Sequence, residues 1–278
     1  MPLLTLHLLR LTPSTTPETF LTQINQVQPS IDIVVASRPR HLVIHTESLD
    51  PSILNDTKWD LLLLARTSDG SLPGPAKTQV EAEYKIFVGV PSRVLNGYGS
   101  KNAKLVKTAP SAPLTGALEK ARVPSSSQNL ELSPALLTFM DELGKEYDGP
   151  VTMLNLLHFN EGGKGSYYQY GQGFVEVAGR RGGDAKIVGN VVAPPEGQSD
   201  ARGDGDEKRK ESGWWNEISI VHYPSIRHFC DMLAGEDYQG INEKYRLGVS
   251  CEFTVKDGRE MRLTRLTGAE GYFSTLHY

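Results

Sequence analysis

Apolar side chains recur along this chain at two spacings, and the order of the spacings predicts its elements. Leu3 to Leu11 is an apolar run of strand length. Thr15-Thr16-Pro17-Glu18 supplies a capping hydroxyl, a proline suited to the first helical position and an early acid. Phe20, Leu21, Ile24 and Val27 follow at helical spacing. Ile31 to Ala36 and His41 to Thr46 are β-branched enough for strands, with Arg38-Pro39-Arg40 as a bend between them. Trp59 to Arg66 reads as a further strand, and Gln79 to Phe87 predicts a second helix.

The second half is clearer. Ser133-Pro134 opens a helix striped by Leu136, Leu137, Met140 and Leu143, and Val151 to Phe159 is a strand. Tyr167, Tyr170, Phe174 and Val177 occupy one helical face, closed by Gly179 and Gly182-Gly183. Lys186 to Ala193 and Trp214 to Tyr223 are strands; between them Pro194 to Gly213, polar and free of aromatic residues, predicts a mobile loop. Pro224-Ser225 caps a helix through Phe229, Met232 and Leu233, and Tyr238, Ile241 and Tyr245 form another helical face. Cys251 to Lys256, Asp257-Gly258 and Arg259 to Leu266 read as a hairpin with a two-residue turn. Strand, helix, strand, strand, helix, strand is the ferredoxin-like βαββαβ plan.

The two halves echo one another. Leu6-His7-Leu8-Leu9-Arg10-Leu11 matches Leu154-Asn155-Leu156-Leu157-His158-Phe159 at an offset of 155 − 7 = 148, and Trp59-Asp60 matches Trp215-Asn216 at 215 − 59 = 156. Tyr84-Lys85 against Tyr245-Arg246, at 245 − 84 = 161, is a weaker third echo. Three matches in one order imply two diverged copies of one unit. Residues 1–107 form the first unit and 133–278 the second; 108–132, rich in proline and serine, cannot build a core and reads as a linker. The fold class is therefore α+β, two tandem ferredoxin-like βαββαβ units forming a pseudo-dimeric α+β barrel.

Composition narrows the partners. A net charge of −4 argues against nucleic acid. With only Cys230 and Cys251 there is no disulfide framework and no cysteine-based zinc motif. No stretch approaches the roughly 18 to 20 apolar residues of a membrane helix, so a cytoplasmic protein without a membrane partner is expected. The expected state is a monomer, itself a pseudo-dimer, or a homodimer; neither a metal nor a cofactor is indicated. His41 and His45 share a strand face but lie about 13 Å apart at roughly 3.3 Å per residue and cannot chelate one ion. Gly162-Gly163-Lys164-Gly165 lacks the spacing of a phosphate loop.

Residues 150 to 266 resemble the dimeric α+β barrel superfamily, and within it a subgroup defined as a domain of unknown function. The resemblance is carried by Asn155-Leu156-Leu157, Tyr167-Tyr168, Trp215-Asn216, Tyr223-Pro224-Ser225, Glu236 to Gln239 and Arg246. It implies a small-molecule cavity in a superfamily that includes oxygenases without cofactors, lactone isomerases, decarboxylases, haem enzymes and stress-response proteins. Two positions depart from the subgroup: His222 and Asn216 stand where acids are usual.

Strand alternation sorts the candidates. Asn155 and His7 are expected to face a cavity between or within the units, as substrate-orienting groups or as hydrogen-bonded structural ones. Trp215, Glu217, Ser219 and Tyr223 share a face, and the aliphatic Ile218 and Ile220 suit packing against helices. An enclosed Glu217 would be a general acid or base near neutral pH; the alternative is a carboxylate paired at the rim. His222 is a proton-transfer candidate by chemistry, though its parity opposes it. Tyr167 and Tyr168 would help wall the site, and Arg246, with Lys85 at the corresponding place in the first unit, would hold an anionic group or make a surface ion pair. The expected function is proton transfer on an aromatic or polyketide-like metabolite without a cofactor, by an isomerase, decarboxylase or other lyase. The alternative is a non-catalytic small-molecule-binding or stress-response protein.

Overall fold

The computed structural model describes residues 1–27, 31–47, 49–67, 69–203, 213–247 and 250–260, the last as backbone. The first unit runs β1 (Leu3–Leu11), α1 (Pro17–Val27), β2 (Asp32–Ile44), α2 (Pro51–Asp56), β3 (Leu61–Arg66), α3 (Gly74–Lys77), β4 (Val80–Gly89) and α4 (Ser92–Thr108). The second runs α5 (Pro134–Glu146), β5 (Val151–Phe159), α6 (Gly163–Gly179), β6 (Asp184–Val192), β7 (Glu217–Tyr223), α7 (Ile226–Ala234), α8 (Glu236–Ile241), a helical turn at Asn242–Arg246, and β8 (Ser250–Glu260).

Each unit places its strands in the spatial order fourth, first, third, second: β4-β1-β3-β2 and β8-β5-β7-β6. That is the ferredoxin-like sheet, made twice. The second strand of each unit then pairs with the fourth of the other, β2 with β8 and β4 with β6, and every pair is antiparallel. The result is a closed eight-stranded barrel built by one chain. Closure leaves neither sheet with an open edge.

Packing separates into three layers. The barrel interior is filled by Leu4, Leu6, Leu8, Leu62, Leu64, Ile86, Leu154, Leu156, Ile218 and Ile220, all but inaccessible to solvent. Outside the first unit, Leu9, Leu61 and Leu63 pack on Phe20, Leu21 and Ile24 of α1. Outside the second, Val151, Met153, Val221 and Tyr223 pack beneath α5, α6, α7 and α8.

Several expectations are corrected. Gln79–Phe87 is not a helix: after a turn residue at Gln79 it lies in β4, where Ala82, Tyr84, Ile86 and Val88 pack toward the barrel and Glu83, Lys85 and Phe87 alternate with them. The bend at Arg38-Pro39-Arg40 is absorbed within β2, with register shifts on both sides of Pro39; a proline, having no N–H, is tolerated at such irregularities. No hairpin turns at Asp257-Gly258, because β8 runs straight through it against β5 and β2; residues 261–266 lie outside the described residues. The third echo fails, since Tyr84 is in a strand and Tyr245 in a helical turn, so Lys85 and Arg246 are not equivalent.

The connecting segment 108–132 does contribute core. Leu130 and Leu132 are buried in the helix-side cluster of the second unit, and Thr115 is held by Asp231 through both its backbone N–H and its hydroxyl. The first part of the 194–213 loop is also anchored: Ala201 N–H donates to Lys85 O, and Arg202 donates to Asp200 and to Val192 O. Residues 204–212 of that predicted mobile loop lie outside the described residues.

Candidate functional site

Within β7 alternation sorts the residues as expected, but the face turned inward is the opposite of the one expected, and Trp215, ahead of the strand, falls on the barrel side and not with Glu217 and Ser219. Ile218 and Ile220 fill the barrel, whereas Ser219, Val221 and Tyr223 turn toward the helices. The middle of a packed interior favours apolar side chains, because an unpaired polar group there would carry its desolvation penalty. The polar row of β5 and β7 therefore lies outward under α6.

On that outward face Asn155 and Ser219 are directly opposite in register, and Asn155 Nδ2 donates to Ser219 Oγ at 2.8 Å. Both are buried. Glu217 lies two residues from Ser219 on the same face, about 7 Å along the strand, and pairs in register with Leu157. Burial pushes the Glu217 carboxyl above the usual carboxylate range, against the opposing pull of Lys164 at the start of α6. The aromatic ceiling is Tyr167, with its ring 5.0 Å from Phe159 and 5.2 Å from Tyr170.

Deeper under the helices the phenols form a core. Tyr170 Oη and Tyr238 Oη share a hydrogen bond of 3.1 Å, and burial, together with its neighbouring tyrosines, holds the Tyr170 hydroxyl well above its ordinary range. Arg246, buried and donating to Asn242 Oδ1 at 3.0 Å, exerts an opposing pull on it. Tyr223 is fully buried against Phe229, its ring at 5.1 Å, and its hydroxyl too is pushed up by burial. It belongs to the core rather than to a cavity wall.

The other candidates lie elsewhere. Trp215 belongs to the barrel side, where its Nε1 donates to Tyr84 Oη at 2.9 Å, and that hydroxyl donates to Asp50. His222 is buried and opposite Thr152 and Asp184 at one end of the barrel. Tyr168 is 68% exposed. His7 lies on the helix-covered side of the first unit with Leu9, its Nδ1 2.6 Å from Glu83 Oε1. Burial would raise the Glu83 carboxyl, but the hydrogen bond to His7 and the charges of His7, Lys85 and Lys77 prevail and hold it below its ordinary value. The structure thus gathers Asn155, Ser219, Glu217, Tyr167 and, deeper, Arg246; it does not bring Trp215, His222, Tyr168 or His7 to them.

Lys164 and Phe159 are site neighbours that pattern reading missed. Lys164 was visible only as part of a glycine-rich segment, whose glycine at 162, φ +75°, starts α6. His158 is bonded to Trp214 O, His228 to Ser225 Oγ and Ala112 O, and His222 lies on the barrel side. Among the described residues no group of three or more His, Cys, Asp or Glu is placed to hold a metal ion, and no helix is long and apolar enough to cross a membrane.

No family model matches the chain, and no curated protein matches it significantly. Three solved structures are similar in part. A protein of unknown function from Rhodopseudomonas palustris is 22% identical, aligning over 50% of this chain and 98% of its own, with a TM-score of 0.32. A mutant chlorite dismutase from Candidatus Nitrospira defluvii is 8% identical over 91% of this chain and 90% of its own, TM-score 0.32. A dye-decolorizing protein from V. cholerae is 12% identical over 92% and 93%, TM-score 0.33. Likenesses of this size carry no argument about the chemistry, and the fold rests on the strand order itself. The chain is a pseudo-dimeric α+β barrel made of two tandem ferredoxin-like units.

Proposed function

We propose that the helix-covered sheet face of the second unit is a small-molecule site at which the chain's own residues transfer a proton, as in isomerisation, decarboxylation or a related lyase step. The observation that carries this reading is Glu217: a partly buried carboxyl raised by burial, on the same face as the Asn155–Ser219 pair. A carboxyl displaced upward spends part of its time protonated closer to neutral pH and so serves as acid and base in turn. Asn155 orients the substrate, Ser219 holds the Asn155 amide, and the rings of Tyr167 and Phe159 favour an aromatic or polyketide-like substrate. Arg246 lies too deep for direct contact at the Glu217 end and supports the phenol cluster instead.

A second reading, a binding protein that does not turn its ligand over, is favoured by one observation. Asn155 and Ser219 already satisfy one another, as a structural pair would. Incubating the wild type and Glu217→Gln with a panel of aromatic acids and lactones, with ligand binding and substrate consumption followed separately, decides between them. Proton transfer predicts consumption by the wild type and a loss of about 100-fold or more in the variant. If a ligand binds both versions equally and neither consumes it, the protein is a binder.

A further inference from the structure

We infer that Asn190 is the substrate contact beside Glu217, an inference that rests on the proton-transfer role given to Glu217 above. Asn190 donates to the carbonyl oxygen of an enolisable ketone while Glu217 takes the proton from the adjacent carbon. This names both the substrate class and the group that meets the developing negative charge.

Asn190 lies on β6 directly opposite Glu217 of β7. Val191 N–H donates to Asn216 O at 2.9 Å, which makes those two a hydrogen-bonded pair of the ladder. The next pair along, Asn190 and Glu217, is therefore a non-hydrogen-bonded one, in which side chains stand closest, with Cβ atoms about 4.5–5.5 Å apart. Their shared face is the outward one. A Cβ on Gly189 would meet Val88 and Val90 of the barrel interior, so the neighbouring Asn190 turns the other way. This corner is open to solvent: Asn190 and Glu217 are each half-buried, and Val188, two residues from Asn190 on the same face, is 39% exposed.

Both side chains are uncommitted. Among the described residues neither the Glu217 carboxyl nor the Asn190 amide has a hydrogen-bond partner. Asn155, by contrast, is buried and already donates to Ser219. Across the strands Glu217 faces fully buried Leu157 on one side and Asn190 on the other, so Asn190 is its one polar cross-strand neighbour. A carboxylate beside an amide suits enolisation. The carboxylate takes a proton from the carbon next to the ketone, the C–H electron pair becomes the C=C bond, and the carbonyl π pair moves to oxygen. The Asn190 Nδ2–H meets that oxygen as it becomes an enolate. Glu217 then returns the proton to carbon, and isomerisation results where that carbon is a different one. Lys164, whose charge pulls on the Glu217 carboxyl, adds positive potential at the same end.

The probe is phenylacetone in deuterium oxide, its deuteration by the full chain followed by proton NMR against buffer alone. The wild type should exchange it above the buffer rate. Asn190→Ala should lower kcat by about 100-fold with little change in KM, because the donor serves the enolate more than the ketone. Asn190→Leu, which keeps the volume but has no donor, should lose as much, and Asn190→Gln, which restores an amide, should recover about tenfold or more. A merely structural Asn190 would show neither the kcat-selective loss nor the recovery, and thermal unfolding of each variant checks the fold. Glu217→Gln separates the two claims. If it abolishes exchange while Asn190→Ala and Asn190→Leu leave kcat unchanged, the assignment of Asn190 is overturned and the proton-transfer role stands. If Glu217→Gln exchanges as fast as the wild type, the proton-transfer role fails and the inference falls with it. No exchange above the buffer rate by the wild type overturns the ketone assignment, while the aromatic acids and lactones still test proton transfer on their own.

Discussion

Asn216 repeats, 156 positions later, the hydrogen bonding of Asp60. Asp60 N–H donates to Leu9 O at 2.8 Å and its carboxylate accepts from Leu11 N–H at 2.9 Å. Asn216 N–H donates to Leu157 O at 2.7 Å and its side-chain oxygen accepts from Phe159 N–H at 2.7 Å. In each unit this residue ties the entry of the third strand to the end of the first. What both copies require is an acceptor oxygen; the negative charge is dispensable.

It follows that Asp60→Asn should be nearly neutral, whereas Asp60→Ala should lose about 1–3 kcal/mol by stranding the Leu11 N–H. Urea denaturation of both variants measures the difference. Equal losses from the two would mean that the charge, not the acceptor, is what matters.

Glu217 and Glu83 should respond to pH in opposite senses. The Glu217 carboxyl is raised from an ordinary 4.5 in the folded state, so the native protein binds the extra proton. Its contribution is fully present below that unfolded value and disappears as pH rises through the folded one. Glu217→Gln should therefore gain on the wild type in stability as pH climbs above about 4.5. Denaturation midpoints measured across pH 4 to 8 check the trend, and a constant gap would contradict it.

Glu83, lowered by its partners, contributes stability above its unfolded value that is lost as pH falls through the folded one. His7→Leu should abolish most of this acid sensitivity, since His7 supplies the hydrogen bond that holds the Glu83 carboxyl down against burial. The same denaturation series on His7→Leu, extended below pH 4, tests it.

Truncation inside the barrel should be severe. Leu156→Ala removes a fully buried side chain from the filled interior and should destabilise by about 2–5 kcal/mol. Chemical denaturation reads the effect directly. A loss below about 1 kcal/mol would show the interior to be looser than its packing implies.

The connecting segment gives a separate handle. Asp231 is fully buried, and although burial opposes ionisation, Thr115 and Arg181 hold its carboxyl below the ordinary range. Arg181 also reaches Asp237, at 3.0 Å. Asp231→Ala leaves the guanidinium paired with Asp237 but strips the partner from its Nε and from Thr115, and should cost about 1–3 kcal/mol. Thr115→Ala, which leaves the ion pair in place, should do less but speed proteolysis within residues 109–133. Unchanged cleavage there would mean that Thr115 does not anchor the segment.

Much of this architecture could be read from the chain. The paired first strands and the Trp-Asp and Trp-Asn entries to the third strands appear as repeats because both copies need the same backbone contacts. Face membership within the strands was also legible, because strand period fixes it, but not at Trp215, which lies just ahead of β7. Which face points inward was not. Leu154 and Leu156 are no more apolar than Met153 and Leu157, and the choice is settled by the pairing of β2 with β8 and β4 with β6, contacts between residues more than 100 positions apart. The missed strand at 80–89 has a local cause: Glu, Ala and Lys favour helix, but Ala82, Tyr84, Ile86 and Val88 have a barrel to fill, and burial outweighs propensity. Glu217 and Asn155 were found by chemistry and strand position, Lys164 only by the pull of its charge on Glu217.

Carrying both halves of the barrel on one polypeptide frees them from symmetry. In a barrel made from two identical subunits, every substitution appears twice, and a histidine introduced on one first strand is introduced on the other. Here the central outward position of the first strand is His7 in one copy and Asn155 in the other, facing Glu83 and Ser219 respectively. One half can keep a histidine–carboxylate hydrogen bond while the other keeps an amide–hydroxyl one, and each is tuned without altering its twin.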